Sequence, residues 1–368
     1  MISWIRYTTL NHFSKFECHM NRYVLFLAFV FSCFSSYAQA PFDTATTLRN
    51  NPGIFSLVVT MDDSTVYSRY FNGKGSTELF NNQSLTKSIE AVLIGIAIDK
   101  GFIPSLYTGI ANYFPLLKND PDKRKTTITI ADVMNQASGL WHENLAQLDA
   151  YLRLEDPSGY VLKQPLLSAP GSELHYNNAA SHLLSVILSK ATGLSTYDFA
   201  RRYLLDPLDI RQSSWPKMKD GYYDGSGLMS IHLRTSDINK IGRLLLNEGR
   251  YKEQQIVSAK WTQMLLNPPK TYPAPWHLRN TAYGLCYYHK TYRGEKMVYG
   301  MGWGGQFLIL LPGLHTVISV NQDVNDRTAI QQSDLFMDSI LPMIFDWIIY
   351  RRNGSAIHPP NVVISDQD

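Results

Sequence analysis

Ser84-Leu85-Thr86-Lys87 sets a hydroxyl and an amine three residues apart. On a helix this spacing puts both side chains on one face, one turn apart. A serine at a helix N-terminus also sits beside free backbone N–H groups that can stabilise an oxyanion. A lysine next to it can take the serine proton when its amine is neutral. The chemistry in view is nucleophilic attack on a carbonyl carbon. The spacing alone is common by chance, and it recurs at Ser214-Trp215-Pro216-Lys217. There a proline separates the pair and no strand leads into it, so the lysine need not face the serine. On the motif alone, Ser84 reads as a plain helix cap and Lys87 as a solvated surface lysine.

Two other stretches carry polar chemistry. Tyr176-Asn177-Asn178 lies just before an apolar helical run. A tyrosine there can act as a general base where cations favour the phenolate, and an asparagine can hold a substrate amide. The plain alternative makes Asn178 an N-cap and Tyr176 a packing staple. Gly300-Met301-Gly302-Trp303-Gly304-Gly305-Gln306 opens a strand. Glycines beside a strand let a ligand approach the backbone closely, or simply form a tight turn with a bulge.

The elements that must position these groups follow from residue patterning. Ile54–Thr60 and Ser64–Phe71 are β-branched and aromatic runs around Met61-Asp62-Asp63, which predicts a β-hairpin. Leu85, Ile89, Val92, Leu93, Ile96 and Ala97 recur at helical spacing, with a stop at Gly101. From there to about residue 275 the pattern is mostly helical. Ala179–Ala191 is strongly apolar, Ser195-Thr196-Tyr197-Asp198 reads as a capping box, Ser236–Asn247 is a further helix, and Ser258 caps a short one. Pro268, Pro269, Pro273 and Pro275 predict an irregular linker. Strands are then predicted at Ala282–Lys290, Lys296–Met301, Gln306–Leu311 and His315–Asn321, and a long helix at Thr328–Tyr350. An isolated hairpin is only marginally stable, so the two strand-bearing ends should share one sheet. The expected fold is α/β (α+β): an antiparallel sheet flanked by helices, formed from both chain ends, with an inserted α-helical lobe.

Composition excludes several functions. Over 368 residues the formal net charge is only +3, which offers no electrostatic footprint for nucleic acid. The longest like-charge run is Lys123-Arg124-Lys125, too short for a polybasic membrane patch. Arg22, the apolar run Tyr23–Phe34 and the Ala38-Gln39-Ala40 site make a secretory signal peptide over residues 1–40, with Met20 as an alternative start of translation. The run falls short of the ~20 residues of a membrane span, so no stable span is expected. A secreted or periplasmic protein cleaved after Ala40 is the expectation. Lipidation at Cys33 is the weaker one, because Val30-Phe31-Ser32 approaches it poorly. Cleavage would leave Cys286 as the sole cysteine, hence no internal disulfide. No zinc-like ligand spacing occurs in the sequence, so no metal is expected.

Taken together and in this order, the three motifs resemble the serine β-lactamase and penicillin-binding-protein superfamily, and its class C β-lactamase-related branch in particular, where Y-x-N stands for S-D-N. The resemblance extends to Ile130–Leu140 (IADVMNQASGL), to Pro170-Gly171, Ala191-Thr192-Gly193 and Asp206-Pro207-Leu208, to Gly227-Leu228-Met229-Ser230 with Thr235-Ser236-Asp237, and to Tyr283-Gly284-Leu285. It implies a domain over 41–350, with an α/β lobe from about 50–101 and 276–350, a helical lobe from about 102–275, and a polar tail at 351–368. It further implies a serine hydrolase acting on a small ester, amide or peptide without a cofactor. In that scheme Ser84 is the nucleophile and Lys87 and Tyr176 share the base and acid roles. The backbone N–H groups of Ser84 and Gln306 form the oxyanion hole, while Asn178, Trp303, Gly304 and Gly305 meet the substrate. A D,D-peptidase of cell-wall peptides and a non-catalytic penicillin-binding-type sensor are the alternatives. The K-T-G position falls at Trp303-Gly304-Gly305, so the second lysine of class C β-lactamases is missing, and Asn82-Gln83 replace the usual small pair before the serine. Both departures point away from β-lactams rather than away from hydrolysis.

Overall fold

The computed structural model describes residues 48, 51, 53–274, 280–324 and 329–353. β1 (Ile54–Met61) and β2 (Ser64–Tyr70) form the expected hairpin, turned by Asp62 and Asp63 in left-handed conformations (φ 45° and 62°). α1 (Leu85–Asp99) follows, with every residue from Leu85 to Ala97 buried. A helix covered on all sides belongs in a core, which its continuous apolar run anticipates. The intervening region is mostly helical and includes α2 (Asn178–Thr192) and α3 (Thr235–Leu246).

The chain then returns as β3 (Tyr272–Pro273), β4 (Ala282–Gly284), β5 (Tyr287–Tyr292), β6 (Glu295–Gly302), β7 (Gln306–Leu311) and β8 (Thr316–Gln322). Among the described residues these complete an eight-stranded antiparallel sheet in the order β2-β1-β8-β7-β6-β5-β4-β3. The early hairpin joins the late meander where β1 pairs with β8, Val58 lying opposite Ser319. α3 buries Ile238, Ile241, Leu244 and Leu245 and packs on β1, β7 and β8, while α1 packs on β6 and β7.

Three expectations need correction. The strand predicted over Ala282–Lys290 is two strands, because Leu285 and Cys286 adopt left-handed conformations (φ 49° and 67°). Their N–H groups leave the ladder for Asn135 Oδ1 (2.8 Å) and Met134 O (2.9 Å), which ties the sheet to the helical region. The proline-rich linker contains β3. The final helix is divided into Ala329–Leu335, a π-turn at Phe336–Ile340, and Leu341–Arg352. The predicted signal peptide and the end of the predicted tail lie outside the described residues.

Two glycines let the sheet meet α1. A Cβ on Gly300 would lie 2.5 Å from both Leu85 Cδ1 and Ser88 Oγ, and one on Gly302 would lie 2.3 Å from Asn82 O. β6 thus runs directly against the turn that begins α1. Gly300→Ala is expected to cost about 1–3 kcal/mol through overpacking, read as a lower urea midpoint with an unchanged slope. An unchanged midpoint would mean that this close approach does not hold the two elements together.

Arg49–Leu341 forms one compact unit, which holds the sheet and the helices labelled above. The other unit comprises Met1–Leu48 and Pro342–Asp368. Its described part is chiefly a helix in which Arg351 lies over the Trp347 ring, 5.2 Å from the centroid. Among the described residues no helix is long and apolar enough to cross a membrane.

Candidate active site

Ser84 immediately precedes α1 with helical torsions (φ −63°, ψ −10°), and its side chain does not cap the helix. The plain cap reading therefore fails, and the hydroxyl points to other partners. Gln83 before it has a left-handed backbone (φ 50°), a conformation that costs a bulky residue about 1–3 kcal/mol and concentrates at functional sites. Neighbouring groups fix this turn: Gln83 N donates to Asn81 Oδ1 (2.8 Å), and Asn82 Nδ2 donates to Ile231 O (3.0 Å). The unusual Asn82-Gln83 pair thus anchors the turn that carries Ser84.

Lys87 is 1% exposed, which removes the solvated-lysine reading. Its Nζ lies 2.8 Å from Asn178 Oδ1, 2.9 Å from Gly225 O, 3.1 Å from Ser226 Oγ and 3.2 Å from Ser84 Oγ. Two of these partners, the amide and backbone carbonyls, can only accept. Ser226 Oγ gives its own hydrogen to Asn178 Oδ1 and so accepts from Lys87 as well, which fixes the amine beside the Ser84 hydroxyl. Gly225 passes so close that a Cβ there would lie 3.0 Å from Lys87 Cγ.

The Tyr176–Asn178 turn is built by the hydrogen bonds of Asn177 rather than by Asn178 itself. Asn177 is the N-cap of α2, its Oδ1 accepting from Ala180 N (2.7 Å). Its Nδ2 donates to Leu140 O and Trp141 O (3.1 and 3.0 Å), and its N–H donates to Gln136 Oε1 (2.6 Å). The Ile130–Leu140 segment, which the family resemblance picked out, thereby holds the turn in place. Asn178 is then free to face Lys87. It lines the cavity described below, and it is also held from behind: its Oδ1 accepts from both Lys87 Nζ and Ser226 Oγ (2.9 Å), and its Nδ2 donates to Glu143 Oε1 (2.7 Å). Asn178 therefore also helps to hold Lys87. The Tyr176 ring lies beneath the Lys87 amine, 5.4 Å from centroid to Nζ.

Glu143, Gly225 and Ser226 were missed by sequence reasoning. Glu143 is 6% exposed and caps the start of α2, taking Asn178 N (3.2 Å), Asn178 Nδ2 and Ala179 N (3.1 Å). A carboxylate at a helix N-terminus is favoured by the unsatisfied N–H groups there. No local pattern around His142-Glu143-Asn144 announces this, since its partners lie 35 residues away.

Ser84, Tyr176 and Asn178 open onto one cavity of about 460 Å³. Its mouth carries Leu228 (71% exposed), Ile330 and Trp303, with Met301 and Gly304 in the wall. Gly305 is not among the described lining residues; its carbonyl accepts from Gln322 Nε2 (3.0 Å) at the β6–β7 turn. Gln306 opens β7 opposite Gly302. Its side chain is buried in the sheet, with Oε1 accepting from Asn321 Nδ2 (2.8 Å) and Nε2 donating to Gln322 O (2.9 Å), so only its backbone is available to the site. Among the described lining residues there is no Lys, Arg or His, while Glu143 and Asp149 supply carboxylates. The second serine–lysine pair is not a site: Ser214 exchanges backbone hydrogen bonds with His232, and Lys217 lies over the Tyr223 ring. Among the described residues no group of three His, Cys, Asp or Glu side chains is arranged to hold a metal ion.

The Beta-lactamase family matches residues 45–334, most of the chain. Three solved structures share the fold. A candidate 6-aminohexanoate-dimer hydrolase from Bacillus anthracis is 20% identical with a TM-score of 0.71, covering 84% of this chain and 82% of that one. Simvastatin synthase from Aspergillus terreus is 17% identical (TM-score 0.62), covering 84% and 97%. A D-stereospecific amidohydrolase from a Streptomyces species is 16% identical (TM-score 0.60), covering 79% and 96%. No curated protein sequence matches. This chain belongs to the beta-lactamase family and is a serine hydrolase of the β-lactamase and penicillin-binding-protein superfamily.

Proposed function

We propose that this protein hydrolyses a neutral ester or amide through an acyl-enzyme on Ser84, and that it does so outside the cytoplasm. The observation that carries the reading is the buried Lys87 amine, caged by Asn178, Gly225 and Ser226, 3.2 Å from the Ser84 hydroxyl. Ser84 Oγ attacks the carbonyl carbon as its proton passes to Lys87 or Tyr176. The oxyanion is received by the backbone N–H groups of Ser84 and Gln306. Collapse breaks the bond to the leaving alcohol or amine, which takes the proton. Water then attacks the acyl-enzyme by the same route in reverse and frees Ser84. Export rests on the signal-like residues 1–40, and mass spectrometry of the secreted chain beginning at Pro41 tests it.

The charge of the cavity favours neutral acyl donors. β-Lactams carry a carboxylate, and Trp303 offers an apolar face with one N–H donor where a cation would be needed. A missing charge-assisted hydrogen bond costs about 1.5–3 kcal/mol, or roughly ten- to a hundredfold in binding. The carboxylates of Glu143 and Asp149 in the cavity wall act in the same direction. The purified chain should turn over p-nitrophenyl butyrate with a far higher kcat/KM than nitrocefin. Nitrocefin turnover at or above that of the ester would remove Trp303 as the specificity determinant.

A further inference from the structure

Directly behind Lys87 lies a row of buried titratable side chains that the reaction scheme leaves unused. Glu90 sits one turn further along α1, and Asp224 and His182 are fully buried. Asp220 closes the row with its side chain 8% exposed. His182 follows Asn178 by four residues, so both leave the same face of α2. Its Nε2 is 2.8 Å from Asp220 Oδ2, and its Nδ1 is 3.0 Å from the Tyr223 carbonyl, with Asp224 Oδ2 3.2 Å from the same nitrogen. A carbonyl can only accept, and Asp220, whose carboxyl stays ionised beside the ring, also accepts. Both ring nitrogens therefore carry hydrogen, and His182 is an imidazolium. Burial works against that charge, but the hydrogen bond to Asp220 and the nearby Asp224 carboxylate overcome it and raise the ring to about 10.

What His182 grips is the segment from Asp220 to Ser226. The same segment delivers Gly225 O and Ser226 Oγ to Lys87 Nζ. Tyr223 N donates to Ser185 Oγ (3.2 Å), also on α2, and Trp215 Nε1 donates to Asp224 O (2.9 Å). Other charged and titratable groups face this row: Lys87 lies beside Glu90 on α1, and Cys286 meets Glu90 from the turn between β4 and β5, its thiol pushed up chiefly by burial. From α1, Glu90 is pushed up to about 8 by burial and then by the Asp224 carboxylate, so it is neutral at pH 7. Tyr151 donates to Ala179 O (3.3 Å), and burial followed by Asp224 raises its phenol further. With Glu90 neutral, the His182 imidazolium is the counter-charge that Asp220 and Asp224 meet inside this row. A buried carboxylate that loses its partner is strongly destabilising.

We propose that His182 is a positioning residue for the reaction: as a double donor it pins Asp220 and Tyr223, and so sets Gly225 O and Ser226 Oγ on the Lys87 amine. The proposal rests on the reading of Lys87 as the proton partner of Ser84. The test follows the rate of fluorophosphonate labelling against pH in wild type, His182→Gln and Asp220→Asn, together with the ¹⁵N imidazole spectrum of wild type. The spectrum should show one histidine with both ring nitrogens protonated up to pH 8. His182→Gln should label on the order of ten- to a hundredfold more slowly, the penalty of a misplacement near 1 Å. Asp220→Asn should label near the wild-type rate at pH 6 and lose that rate as pH rises to 8, because its imidazolium gives up a proton earlier. Such an alkaline limb is not expected of a residue that only packs. A singly protonated ring at pH 7, or an Asp220→Asn profile identical to wild type, overturns the proposal, and both readouts stand even if His182→Gln fails to fold. A wild type unlabelled at Ser84 would instead remove the nucleophile assignment, leaving the spectrum to decide the clamp.

Discussion

Ser84→Ala is expected to abolish covalent labelling by a fluorophosphonate and to lower kcat by roughly a thousandfold or more. The serine sits on a strained turn, does not cap its helix, and opens onto the cavity beside the buried amine. One probe molecule should add to the wild-type chain, on the peptide containing Ser84. The fold should survive the change, because the hydroxyl has no capping duty to lose, and thermal melting checks this. Labelling that persists in the variant, or that maps to Ser214, would remove Ser84 as the nucleophile. Ser214 is a poor rival, being engaged by its backbone in a bridge to His232 with its lysine turned to Tyr223.

Lys87 and Tyr176 should fail together rather than in sum. Each approaches Ser84 from a different stretch of the chain, and the Lys87 amine lies over the Tyr176 ring. Groups that move one proton as a unit give non-additive losses. Lys87→Ala and Tyr176→Phe should each cost on the order of a hundredfold or more in kcat, and the double variant should be little worse than the poorer single. Lys87→Ala also leaves Asn178 Oδ1 and Gly225 O without their donor, so its stability should be measured beside its rate. Tyr176→Phe keeps the ring and tests the hydroxyl alone. If Tyr176→Phe retained kcat within a few-fold of wild type, the tyrosine would be a packing residue.

Much of the frame was legible in the residue order because its causes are local. Alternation of β-branched residues around Asp62-Asp63 sets the first hairpin, and the helical period after Ser84 sets α1. Helix geometry alone then brings Lys87 to the face of Ser84, one turn on. The order of three motifs along the chain was enough to point to the family that the match over residues 45–334 establishes.

The failures have an equally local explanation. Leu285 and Cys286 interrupt a run that reads as one strand, since the bonds that bend them out go to Met134 and Asn135, about 150 residues earlier. Asn178 reads as a cap by its position before a helical run, yet Asn177 takes that duty. Which of two adjacent asparagines faces the amine depends on the Leu140–Trp141 carbonyls that receive the other one.

By itself, then, the sequence determined most of the elements, their order, and the serine and lysine that one helix turn holds together. Tertiary structure decided how that lysine is held. Gly225 O reaches Lys87 across 138 residues of chain and Asn178 across 91. Glu143 reaches Asn178 across 35, and His182 reaches the segment that carries Gly225 across about 40. A hydrogen bond between distant residues leaves no periodic trace, because its partners are brought within 3 Å only when the helices and the sheet pack. The sequence could name the hydroxyl and the amine; the acceptors around that amine exist only in the folded chain.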